Sequence, residues 1–283
     1  MALKAPSTMK NALAKFAGTS AVAYFVLIPF AVLSGPGEPH PQSEEPYNYP
    51  LQPGTLAWVN ATVEERLNSG QIPKSWRDHA TSWQMFRSAI AHPYFRGIEA
   101  GGNDMAHRYQ AAKLGTVPIL GEIDTAPDFG TNVLRWLAGL DFVKMASLQC
   151  SESREPCWID YRIVCYMASM DSALETVDLG SRQRLFRLAV WDADYFLSRD
   201  DTIVASGPLQ VVYAIFRKPE SFRGPLPAGV VLPPLPAGTS GPLDSSDLEE
   251  LRPADLRPAL AAAKVALGLT QRPSQATGAH LNN

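Results

Sequence analysis

Ile159-Asp160-Tyr161-Arg162-Ile163-Val164-Cys165-Tyr166-Met167 is the stretch on which the fold class turns. Ile159, Tyr161, Ile163, Cys165 and Met167 alternate with Asp160, Arg162, Val164 and Tyr166. A period of two marks a strand with one face inward, so a strand is expected here. Downstream, residues 203–205 and 209–216 read as two strands of a hairpin that turns at Ser206-Gly207-Pro208. Val211, Val212, Tyr213, Ile215 and Phe216 make a nearly continuous apolar run, suited to a central strand. Between these, residues 181–197 fit either a helix capped by Ser181 or a strand through Phe186, Leu188 and Val190.

Upstream the spacing is helical. Residues 56–67 read as a first helix, with Asn60 or Thr62 capping its later part and Glu64 and Glu65 in the first turn. A second helix begins at Ser75; Trp76, Trp83, Phe86 and Ile90 keep helical spacing until His92-Pro93 stops it. After the turn Gly101-Gly102-Asn103-Asp104, residues 105–114 form a short helix. Residues 117–123, interrupted by Pro118 and Gly121, read as an irregular or edge segment. Residues 131–147 give the clearest helix, with Val133, Leu137 and Leu140 on one stripe. Helices first and a small antiparallel sheet later predict an α+β fold in one globular domain, residues 54–218.

The ends differ from this body. Residues 16–37, FAGTSAVAYFVLIPFAVLSGPG, carry no charge; Lys4, Lys10 and Lys15 precede them, and Glu38, Glu44 and Glu45 follow. A bilayer needs roughly 20 apolar residues, and a signal-peptide core 7–15. The stretch fits an uncleaved transmembrane anchor or a cleaved signal peptide. Both leave residues 1–15 as a basic cytoplasmic stub and put the domain outside the cytoplasm. The expected form is a single-pass membrane protein; after cleavage it is a secreted or periplasmic one. Residues 38–53 hold five prolines and read as an extended linker. From residue 219 the chain is again Pro-rich and reads as a largely disordered tail, with a short Ala-rich helix near residues 254–269.

A net charge of −3 gives no overall basic balance to draw nucleic acid. No phosphate-binding glycine loop and no Gly-x-Ser-x-Gly elbow occurs, so no cofactor is expected. Three groups of residues are candidates for chemistry. His92, Glu99, Asp104 and His107 surround the glycine turn; imidazole and carboxylate are metal ligands and acid–base groups. The structural alternative makes Asp104 a helix cap and His92 a helix end. Asp192, Asp194, Asp200 and Asp201 fall within ten residues and suit a hard cation, or a solvated turn. Cys150 and Cys157 bracket a polar loop and are candidates for a disulfide, with Cys165 left over as a small buried residue.

With no catalytic set of recognisable spacing, the expected function is a non-catalytic, membrane-tethered accessory or scaffold protein. It would serve a cell-envelope assembly such as a secretion, transfer or wall-associated complex. It would meet the membrane through residues 16–37 and protein partners in that complex, with the Pro-rich tail as a reach or docking element. The alternatives are an exported metal-dependent hydrolase using His92, Glu99, Asp104 and His107, and an exported inhibitor or immunity-type binding module.

Overall fold

The computed structural model describes residues 44–96, 105–140, 142, 145, 157–235 and 251–273. The expected α+β class is corrected: among these residues the fold is helical and contains no strand. Residues 159–167 lie in helix α9, Trp158–Ser169. The alternation misleads because every residue from Asp160 to Ser169 is buried. The polar positions do not mark an outward face. Asp160 accepts a hydrogen bond from the Cys157 N–H at the helix start (3.0 Å), and Arg162 is only 2% exposed. A helix enclosed on all sides loses its 3.6-residue signature.

The expected hairpin is likewise one helix, α12, Thr202–Phe216. Asp201 caps it by accepting from the Val204 N–H. Pro208 is accommodated inside it. The apolar run that suggested a central strand is instead a core helix, buried from Gly207 to Ile215. Short apolar runs do not separate these two possibilities by periodicity. Helices α9 and α12 pack on one another and form the centre of the body. The ambiguous residues 181–197 belong to α11, Leu179–Leu197; its cap is Asp178, not Ser181. α11 packs on α12.

The N-terminal half is a series of short capped helices. The expected helix over residues 56–67 divides into α1, Leu56–Asn60, and α2, Val63–Ser69. The Thr62–Glu65 capping box starts the second piece. α3, Lys74–Arg77, is followed by α4, Ser82–Ile90, which begins at a second capping box, Thr81–Gln84. α5 is Pro93–Arg96, and α6, Met105–Ala111, runs into a π-helical turn, Ala112–Thr116. Residues 117–123, expected to be irregular or a sheet edge, are mostly helix α7, Ile119–Asp124. α8, Phe129–Gly139, packs on α9 and on the short α10, Asp171–Glu175.

Parts of both Pro-rich ends are folded. Tyr49 is 2% exposed and its hydroxyl donates to Ser88 O (2.9 Å). The Glu44 carboxylate and carbonyl accept from Arg135 and Arg87. After α13, Glu220–Arg223, Val230 and Leu232 are buried and the Tyr213 hydroxyl donates to Pro233 O. Helix α14, Pro253–Ala266, lays Leu256, Leu260 and Ala263 against α11. Each such leucine contributes on the order of 2 kcal/mol by leaving water. The tail is therefore corrected from largely disordered to core-forming over residues 219–235 and 251–273. No helix among the described residues is long and apolar enough to cross a membrane; residues 16–37 lie outside them.

Candidate functional site

His92 is buried between α4 and α5, and both ring nitrogens are occupied. Nδ1 accepts the Tyr94 N–H (3.0 Å), which leaves the proton on Nε2 to donate to Gly70 O (2.9 Å). The Tyr49 ring packs edge-on against the imidazole at 5.0 Å. Burial pushes the imidazole down to about 4, against a smaller upward pull from Gly70 O. It is a neutral structural histidine that ties the N-terminal segment to α4. His107 stands exposed on α6. Glu99 and Asp104 lie outside the described residues. Among the described residues, no group of three or more His, Cys, Asp or Glu is placed to hold a metal ion.

The four aspartates do not converge on a cation either. Asp201 caps α12. Asp200, Asp194 and Asp192 pair with Arg257, Lys264 and Arg272, which all lie in or just beyond α14. The innermost pair is the most completely built. Arg272 Nε lies 2.7 Å from Asp192 Oδ1 and Nη2 3.1 Å from Oδ2. Nη2 also donates to Leu137 O (3.0 Å), and the guanidinium lies 4.7 Å from the centre of the Phe142 ring. The Tyr161 hydroxyl donates to Asp192 Oδ2 at 2.8 Å. Burial drives the Asp192 carboxyl up, with Arg272 and then Tyr161 drawing it back. Burial alone would depress Arg272; the Asp192 carboxylate outweighs that and raises it.

Local backbone chemistry delivers Arg272 to this place. Gly268 holds the left-handed conformation (φ 67°) just past α14. Its N–H donates to Val265 O, and the Leu269 N–H to Lys264 O. This paired closure reverses the chain at a helix end and favours glycine there.

A second buried polar group joins α6 to α7. The Asp124 carboxylate accepts from the Tyr109 hydroxyl and from Lys113 Nζ, the latter at 2.7 Å. It too is closed and structural. Cys165 is a free thiol, 2% exposed, and burial raises it far above the ordinary thiol range. Cys157 is disulfide-bonded; Cys150, its expected partner, lies outside the described residues.

Two surface features went unread in the sequence. The first is the outer face of α1 and α2, neither of which has a buried residue. Leu56, Val59, Val63 and Leu67 are exposed at 76, 64, 64 and 44%. Trp58 is partly covered by the Arg66 guanidinium at 5.2 Å. Arg66 Nε also donates to Trp58 O (3.0 Å), clamping the two helices together. In the sequence these residues read only as parts of one helix over residues 56–67. The second is a groove containing Arg184, Arg187 and Arg272. The close spacing of Arg182, Arg184 and Arg187 was the available signal, obscured by the undecided reading of residues 181–197. Comparison with protein-family models, curated proteins and solved structures finds no match to this chain.

Proposed function

We propose that this chain is a non-catalytic accessory or scaffold protein of a cell-envelope assembly. Residues 16–37 tether it to the membrane and its helical body lies outside the cytoplasm. The observation that carries this reading is the set of exposed aliphatic side chains, Leu56, Val59, Val63 and Leu67, on a helix pair linked by Arg66. A helix pair with no buried residue has little reason to hold apolar side chains unless something covers them. Its occupant in this proposal is a protein with an apolar patch that covers these side chains. Glu64, exposed beside the face, disfavours an anionic lipid surface.

One further observation supports it. The described acidic and imidazole candidates with assigned contacts, His92, Asp192, Asp194, Asp200 and Asp201, serve helix caps, ion pairs and core packing. That engagement of His92 also weighs against the hydrolase reading.

The test is photo-crosslinking of the full chain in native membranes from position 59, with position 265 as an exposed control elsewhere (Val265, 79% exposed). One discrete adduct from position 59 that is missing from position 265 and lost in V63E/L67E is expected. The same adducts from both positions, or recovery of the intact chain in the soluble fraction after lysis, would sink the proposal.

A further inference from the structure

Residues 50–69 leave the body and return to it at one side chain. Tyr49, just before them, packs its ring edge-on against the His92 imidazole at 5.0 Å. Gly70, just after them, offers its carbonyl to His92 Nε2 at 2.9 Å. A Cβ on Gly70 would sit 2.8 Å from His92 Cε1 and Nε2, so this contact has no slack. Between the two anchors, α1 and α2 bury nothing. Thr62 bonds to Glu65, and Arg66 donates to the Trp58 and Val59 carbonyls, which holds the pair together as one piece. The excursion is an arm whose base closes on a single ring.

The elements that carry and flank that ring do bury core residues: Phe86 and Ile90 in α4, Phe95 in α5 and Ile119 in α7. A cavity of about 50 Å³, lined in part by Gln71, Arg77, His92 and Ile119, has room for water beside the ring. Arg77 brings a buried Nε with no hydrogen-bond partner among the described residues.

A second proton on the imidazole goes to Nδ1, the acceptor for the Tyr94 N–H. That nitrogen then opposes the N–H, donor against donor, and a buried cation lacks an acceptor on that side. The facing groups do not answer it. The N-terminal segment presents the Tyr49 phenol, α2 the Gly70 carbonyl and α5 the Tyr94 N–H. Arg77 of α3 is itself a cation, paired with Glu122 of α7, and Arg87 of α4 is committed to the Glu44 carbonyl. Water relieves the charge once a wall of this site moves. The arm withdraws no side chain from the core by moving, whereas α4, α5 and α7 would.

We infer that residues 50–69 form a hinged arm latched at its base by His92, and that protonation of Nδ1 opens the latch while the rest of the body stays folded. Acid then moves Leu56, Val59, Val63 and Leu67 together. The inference concerns how these side chains are held and is independent of what covers them.

The experiment measures spin-label distances on the full chain in a nonionic detergent. E64C/E175C reports the arm and E175C/V265C the body; all three positions are exposed, whereas Cys165 is enclosed and Cys157 is disulfide-bonded. The arm pair is expected to show one distance at pH 7 and a second, broader component at pH 4.5, with the body pair unchanged. A ring that titrates near 4 when latched and near 6.5 when released raises the open-to-closed ratio roughly fiftyfold over that interval. H92Q should keep one distance at both pH values, because a carboxamide donates and accepts without titrating. G70A should show the second component already at pH 7, because its methyl group displaces the ring, and it serves if H92Q does not fold. An unchanged arm distance at pH 4.5, equal acid broadening in H92Q, a single distance in G70A at pH 7, or broadening of the body pair in step with the arm pair would overturn the inference.

Discussion

Arg272 reaches back to Asp192 across 80 positions of sequence, and its guanidinium meets that carboxylate edge to edge inside the body. The pair fastens the C-terminal segment to α11 more firmly than the outer pairs Lys264–Asp194 and Arg257–Asp200. The outer pairs are more exposed and contribute less, since solvent screens them.

Removing one partner of the inner pair strands a buried charge. R272M should destabilise the body by about 3 kcal/mol or more, read from denaturant unfolding. D192L/R272M should recover much of that loss, because two apolar side chains leave no unmatched charge. Equal losses in the single and double variants would show that the pair does not act as a unit.

His92 should make stability depend on pH. Its folded value, about 4, lies below the unfolded value near 6.5, so the unfolded chain takes up the proton first. The contribution is complete above about pH 6.5 and is lost as pH falls toward 4; in full it is worth roughly 3 kcal/mol. The groups facing the ring are Tyr49, packed on it, and Arg77, across a small shared cavity. H92Q should flatten the melting temperature between pH 4.5 and 6.5 relative to the native chain. An equally steep profile in H92Q would assign the dependence to other groups.

Gly130 is the tightest contact between α8 and α10. A Cβ there would sit 2.0 Å from Ala173 O, and the Gly130 N–H donates to Thr176 Oγ1 (2.9 Å). G130A therefore needs a backbone shift and should lower stability by about 3 kcal/mol. G115A, at a position with nothing within 4 Å, should stay within about 0.5 kcal/mol. Similar melting temperatures for the two variants would contradict the packing of α8 on α10.

Cys165 should be inert in the native state. Its thiol is enclosed and held protonated by burial. A thiol reagent at neutral pH should leave Cys165 unmodified until denaturant is added, as read by peptide mass mapping. Prompt native-state modification would mean that α9 opens readily.

The readable parts of the sequence were those set by near neighbours. Thr62 as a helix start needs only Glu65, three residues on, and the Thr62 capping box is present. His92-Pro93 as the end of α4 is likewise local. Trp83, Phe86 and Ile90 kept their helical spacing because α4 is buried on only one side. The misread parts lie in the centre. Asp160 and Arg162 looked like an outward face in residues 159–167, yet both are buried. Pro208 looked like a turn and is held within α12. Among the site candidates, His92 was singled out for metal or acid–base chemistry with a helix end as the alternative, and it lies just past the end of α4. The four aspartates were recognised as a cluster, but their partners were not visible.

By itself the sequence determined where several N-terminal helices start and stop, because a cap is completed by residues three or four positions away. It also marked out residues 16–37 as an uncharged stretch, since that depends on composition alone. Only the tertiary structure decided that α9 and α12 are helices. Burial on every side removes the polar face that would have revealed their period. The tertiary structure likewise decided that Asp192, Asp194 and Asp200 fasten a C-terminal helix. The attraction between a carboxylate and a guanidinium depends on distance in space, which spacing along the chain does not encode.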